Sequence, residues 1–148
     1  MVIEEIERKG VPVIETVHLF YFLVKVLYNM IKYTMTLLPE YFDKISNGTK
    51  TYEVRLYKDD KRNIKIGDEI TFYKHPDKIQ HITVQVKDIY LYSSFTQMAE
   101  SLSHKELGFD SLSTESIVKI YKEIYPNNDE EKQFGVVAYK IEIKNTNV

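Results

Sequence analysis

The run Thr51–Tyr57 constrains this chain more than any other, because its apolar and polar residues alternate without a break. Tyr52, Val54 and Leu56 fall on one side, and Thr51, Glu53, Arg55 and Tyr57 on the other. A period of two is the mark of a β-strand with one buried face. Such a strand needs partners, and the chain supplies them. Lys32–Leu37 reads as a strand. Glu69–Lys74 reads as another, fed by a turn at Gly67-Asp68. His81–Leu91 is a long strand whose apolar phase shifts between Val86 and Ile89, which calls for a bulge. Gly135–Lys144 closes the set, with Val137, Tyr139, Ile141 and Ile143 on one face.

Helices fall between these strands. Pro39 opens a short one, where its missing N–H costs nothing. Tyr41, Phe42 and Ile45 share a face of it, and Gly48 is placed to stop it in a left-handed conformation. Phe95, Met98 and Leu102 form a second stripe. Ser113 caps a longer helix in which Ile117, Val118, Tyr121 and Ile124 point inward, and Tyr125-Pro126-Asn127-Asn128 ends it. The order β-α-β-β-β-α-α-β lacks regular βαβ alternation. It predicts an α+β fold, a small mixed β-barrel flanked by helices.

Residues 1–30 stand apart as an N-terminal extension, with the domain at 31–145 and a tail at 146–148. Residues 17–31 are almost continuously apolar but too short to span a bilayer comfortably, with Lys25 in their middle. Acidic residues precede the run where a signal peptide would be basic. Two readings stand: an apolar helix that packs on the domain or pairs with a second copy, giving a homodimer, or an extension ahead of a natural start at Met30.

The 148 residues suit one domain. With no cysteine there is no disulfide, thiol nucleophile or thiolate metal site, and a cytoplasmic location is expected. His18, His75, His81 and His104 show no ligand spacing, and the five glycines are scattered singly. No metal, cofactor or nucleotide-hydrolysing loop is expected. Net charge is −2, but residues 44–65 carry seven cations against three carboxylates, whereas residues 100–131 carry three against eight. A local basic face is therefore expected, against the blander case of a solvated hairpin.

Asn47–Arg55, NGTKTYEVR, draws these threads together. Lys50 sits at the mouth of the strand, with Glu53 and Arg55 two residues apart on its polar face. Lys and Arg supply donors for phosphate or carbonyl oxygen, and Glu accepts from a base amino or ribose hydroxyl group or acts as a base. By pattern alone, an exposed Glu–Arg pair of little weight is the alternative.

The order LLPEYFDKISNGTKTYEVRL, KRNIKIGDEITF, a long strand, IYP and GVVAYKIEI resembles the ASCH domain family of the PUA-like superfamily, from about Lys32 to Lys144. Its most specific part is G-x-K-x-x-E-x-R, met by Gly48, Lys50, Glu53 and Arg55; Ile66-Gly67-Asp68 is a weaker marker. The resemblance implies a small β-barrel and an RNA- or nucleoside-binding cleft under the first helix of the domain, lined by Lys50, Glu53 and Arg55 of the motif, and Tyr57 beside them is added as a ligand-binding candidate. Tyr41, Phe42, Tyr57, Phe72 and Tyr73 are candidates for stacking on a base, with Phe42 and Phe72 expected in the core. Some ASCH proteins are amidohydrolases that deacylate N4-acylated cytidine. That activity maps the activating lysine to Lys50, but its threonine nucleophile to Glu53 and its later carboxylate to the region of Gln85 and Asp88. The missing hydroxyl and carboxylate rank a binding module ahead of a hydrolase in which Lys50 and Glu53 activate water. On this reading the charged face is a solvent-accessible concavity, and Lys50→Ala or Arg55→Ala weakens binding without disturbing the fold.

Overall fold

The computed structural model describes residues 13–30 and 33–144. The start of the expected first strand at Lys32 and the tail at 146–148 lie outside them. The chain divides after Lys32 into two compact units.

The first unit holds helix α1, Val13–Met30. Among the described residues no helix is long and apolar enough to cross a membrane.

The second unit is mixed α+β. Its elements are β1 (Tyr33–Leu37), α2 (Pro39–Ser46), β2 (Tyr52–Leu56), a 3-10 turn (Asp59–Arg62), β3 (Glu69–Lys74) and β4 (His81–Tyr92). They are followed by α3 (Phe95–Ser101), α4 (His104–Leu107), α5 (Thr114–Ile124), α6 (Asn128–Phe134) and β5 (Val136–Ile143). The strands form one curled half-barrel sheet in the order β1-β3-β4-β5-β2, parallel at β1–β3 and antiparallel elsewhere. The expected bulge is present, as a register shift between Val86 and Asp88.

Each sheet face has its own core. Met35, Leu37, Phe42, Ile70, Phe72 and Tyr139 lead the cluster that the sheet shares with α2. Val54, Leu56, Phe95, Ile117, Val136 and Ala138 belong to the cluster under α3, α4 and α5. Strand β5 shows the division residue by residue, with Val137 and Tyr139 in the first core and Val136 and Ala138 in the second. β2 is buried on both faces for the same reason.

Local chemistry explains the helix ends. Pro39 opens α2, and Gly48 follows it at φ +83°, the left-handed conformation that glycine adopts without Cβ strain. The Ser113 hydroxyl accepts from the Ser116 amide at the start of α5. Two inward expectations fail at element ends. Ile124 and Ile143 are 52% and 37% exposed, because α5 and β5 run past the layers that cover them. Two short helices escape the pattern: Ser103 caps the single turn α4, and Asn127 caps α6.

Candidate functional site

The site begins where α2 hands over to β2. The Asn47 carboxamide oxygen accepts from the Thr49 amide, and the Lys50 amide donates to the Lys44 carbonyl, which turns the chain tightly. Lys50 is thereby driven inward and is only 4% exposed. Its Nζ donates to the Tyr52 carbonyl at 2.5 Å and to the Leu107 carbonyl at 2.8 Å. Burial lowers the pKa of its ammonium, and the nearby Glu53 opposes that fall.

Glu53 and Arg55 do share a strand face, as the alternation requires. They face Tyr139 and Val137 of β5 across the antiparallel pair. Glu53 is 6% exposed. Its Oε1 accepts from Arg55 Nε at 3.4 Å, whereas its Oε2 is buried with no hydrogen-bond partner. Arg55 also reaches across the seam between the two sheet edges, its Nη2 donating to the Thr36 carbonyl of β1 at 3.3 Å. It latches the curl where β1 and β2 lack backbone pairing to each other.

This corrects the expectation of a solvent-accessible charged concavity. Lys50 and Glu53 are buried, and Arg55 is half-buried, because the curl of the sheet brings a second core against the polar face of β2. Lys50 also holds two carbonyls, and Lys50→Ala would strip both of a donor, which bears on the expectation that this variant leaves the fold intact. Tyr57 lies just past the end of β2, packed against the first core, with the Arg62 guanidinium 5.5 Å from its ring centroid.

Aromatic residues surround the buried charges. Lys50 Nζ lies 5.9 Å from the centroid of Tyr41, on α2. Phe109 bridges Tyr41 and Tyr121, with edge-on contacts at 5.7 and 5.8 Å between centroids. Burial, and then the charge of Glu53, raise the Tyr121 hydroxyl well above its ordinary pKa. Burial also raises Tyr125, although Arg55 draws it back and offers it a hydrogen bond. Sequence reading took Tyr121 as core and Tyr125 as a helix end. Tyr125 ends α5 four residues after Tyr121, and that spacing was the available signal that the two lie on one side.

Gly108 is a further residue that pattern reading passed over. It sits at φ +99°, and a Cβ there would lie 3.1 Å from Lys50 Cδ. Its carbonyl accepts from Lys44 Nζ at 2.6 Å. The Leu107–Phe109 corner thus clamps both lysines of the turn.

The basic stretch is largely neutralised in space. Lys44 pairs with Glu40, Lys58 with Glu130, Lys61 with Asp60, and Arg55 with Glu53. Of the stacking candidates, Phe42 and Phe72 are core, as expected. Tyr73 packs on His81 at 5.7 Å. Gln85 receives a hydrogen bond from Lys87, and Asp88 one from the Tyr90 hydroxyl, both on β4. Thr51 belongs to another cluster: its hydroxyl donates to Glu106 Oε1 at 3.1 Å and accepts from Lys140 Nζ at 3.0 Å.

The chain matches the ASCH domain family over residues 35–145. The crystal structure of the hypothetical protein PH0355 superposes with a TM-score of 0.66 at 36% identity, over 77% of this chain and 100% of that one. The solution NMR structure of protein PF0455 from Pyrococcus furiosus gives 0.56 at 31% identity, over 76% and 97%. A crystal structure of ASCH from Zymomonas mobilis gives 0.50 at 17% identity, over 74% and 65%, a likeness of fold alone. No curated protein matches the chain.

Proposed function

The chain belongs to the ASCH domain family, and on that premise we propose that it is a binding module. It takes a base of RNA, or a modified nucleoside, at the β1–β2 seam beneath α2. The observation that carries this reading is the unpartnered Oε2 of the buried Glu53. Leaving a buried acceptor unsatisfied costs about 1–3 kcal/mol or more, so a ligand that satisfies it is favoured.

The neighbouring donors are already engaged. Lys50 serves two carbonyls, and Arg55 serves Glu53 and Thr36. What the site offers is an acceptor, and a phosphate supplies further acceptors rather than the donor required. A base edge supplies amino or imino N–H groups, and a ribose supplies O–H. The ring of Tyr41, whose hydroxyl feels the Glu53 charge, suits a base better than a sugar. Lys50 and Arg55 then act by positioning Glu53, with Tyr57 packed just past the end of β2. This reverses the expectation that the two cations meet the ligand directly.

Titration of a panel of nucleosides and unpaired oligoribonucleotides tests the reading. Glu53→Gln keeps the shape and removes the charge. It is expected to weaken binding by about 10- to 100-fold, the worth of a hydrogen bond to a charged group. Binding by the parent is expected to depend only weakly on salt, because few cations remain for phosphate. Equal binding by Glu53→Gln, or a steep salt dependence, would sink it.

One observation favours the amidohydrolase as a second reading: burial depresses Lys50, as a lysine base requires. Against it, Glu53 replaces the hydroxyl nucleophile, and the Thr51 hydroxyl is held by Glu106 and Lys140. Release of free cytidine from acylated cytidines by the parent protein, lost in Glu53→Gln, would put the hydrolase first.

A further inference from the structure

The unpartnered oxygen of Glu53 has a neighbour that decides what can pair with it. Glu53 is the anion of an ion pair with Arg55, so both of its oxygens accept and neither donates. Each carboxylate oxygen offers about two lone pairs. Oε2 has no partner, and Oε1 accepts from Arg55 Nε at 3.4 Å, which leaves it a second lone pair. An incoming edge therefore meets two acceptors side by side on a buried side chain, where water screens little.

The edges of the RNA bases differ in how they answer that pair. Guanine sets N1–H and the N2 amino group next to each other, two donors in a row. Adenine sets its N6 amino group beside the N1 acceptor, and cytosine its N4 amino group beside the N3 acceptor. The N3–H of uracil lies between two carbonyl oxygens. In these three, one donor reaches the carboxylate while a lone pair is pressed against its other oxygen. Acceptor facing acceptor at low dielectric is costly.

The seam sets the direction of approach. β1 and β2 are not paired to each other, and Arg55 Nη2 spans the gap to the carbonyl of the exposed Thr36. The Arg55 side chain is more open than that of Glu53, so solvent lies on the Arg55 side of the pair.

Resting on the base-binding reading of this seam, we propose that the site selects guanine. The N2 amino group donates to Oε2, and N1–H donates to the remaining lone pair of Oε1. Because O6 adjoins N1, that orientation turns O6 toward the Arg55 cation, the favourable sign for a carbonyl oxygen. The Tyr41 hydroxyl feels the Glu53 charge, and a purine gives that ring a larger face to stack on than a pyrimidine does.

Isothermal titration calorimetry of the full chain with the pentanucleotides UUGUU, UUIUU, UUAUU, UUCUU and UUUUU (I is inosine) tests this. UUGUU is expected to bind tightest. Inosine keeps N1–H and O6 but lacks the amino group, so UUIUU is expected to bind about 10-fold more weakly or worse, the worth of a hydrogen bond to a charged group. The adenine, cytosine and uracil oligonucleotides are expected to fall below UUGUU by about the same factor or more. Glu53→Gln sets an amide donor beside an acceptor, the complement of adenine and not of guanine. In that variant, shown to be folded by circular dichroism, the preference for UUGUU over UUAUU is expected to vanish. Equal binding of all five by the parent, weakened throughout by Glu53→Gln, would overturn guanine selection and leave the base site standing. No binding of any of them would overturn both. A guanine preference that survives Glu53→Gln in full would overturn its assignment to this carboxylate.

Discussion

Two lysines flank the entry to β2, and they do opposite things with the same chemistry. Lys50 is buried, and its ammonium is spent on the Tyr52 and Leu107 carbonyls. Lys140 is partly open. Its Nζ lies 4.4 Å from the Tyr52 ring centroid and donates to Thr51 Oγ1 at 3.0 Å and Glu106 Oε1 at 2.8 Å. Each cluster has a carboxylate, a lysine and a tyrosine ring. Around Lys140 the carboxylate is matched directly by the lysine, while near Lys50 one oxygen of Glu53 is left over. Polar residue types alone therefore do not mark a site. A buried acceptor without a protein donor does, because leaving it unpaired is costly.

The largest expected effect separates the two lysines by stability. Lys50→Met preserves length and volume but strips one buried and one part-buried carbonyl of their donor and leaves Glu53 short of a cation. Losing the charge itself is a gain, since burial already disfavours it. The unpaired carbonyls outweigh that gain, and a net cost of about 3 kcal/mol is expected. Urea denaturation monitored by tyrosine fluorescence measures it. A loss below about 1 kcal/mol would mean that the two clusters do not differ as their burial implies.

Gly108→Ala is the next smaller effect. The new Cβ meets the Lys50 stem at 3.1 Å, and φ +99° is strained for any side chain. A cost of about 1–3 kcal/mol is expected. The same substitution should weaken nucleoside binding, because Lys50 helps fix the floor on which Glu53 sits. Stability lost with binding unchanged would detach the Leu107–Phe109 corner from the site.

The reach of the sequence differs between these two clusters for a physical reason. Alternation in β2 correctly paired Glu53 with Arg55 and Val54 with Leu56, because side-chain direction is local. It could not say that the polar face is also covered. That cover comes from sheet curvature and from α2, and the carbonyl that holds Lys50 lies 57 residues away. The fold class, the bulge near Asp88 and the caps at Gly48 and Ser113 were legible from short-range pattern. The Thr51–Glu106–Lys140 cluster was not, since its members come from the mouth of β2, α4 and β5. Single-turn α4 left too short a period to read, and nothing in Leu107-Gly108 hinted that their carbonyls clamp two lysines.

The smallest effect belongs to the exposed cluster, and its pH dependence identifies it. The hydrogen bond from Lys140 holds the Glu106 carboxyl below its ordinary pKa of 4.5, helped by Thr51 and opposed by slight desolvation. A carboxylate depressed in the folded state stabilises the protein above its unfolded pKa. That contribution disappears as pH falls from about 4.5 through the depressed folded value. With both side chains about a third exposed or more, the pair is worth at most about 1 kcal/mol, less in high salt. Lys140→Met should therefore cost that much at neutral pH and progressively less as the solution is acidified. Nucleoside binding at the β1–β2 seam should be unchanged. A deficit that persists unaltered below the folded pKa of Glu106 would show that Lys140 acts through its packing on Tyr52 and not through the ion pair. A loss of nucleoside binding would erase the distinction between the two clusters altogether.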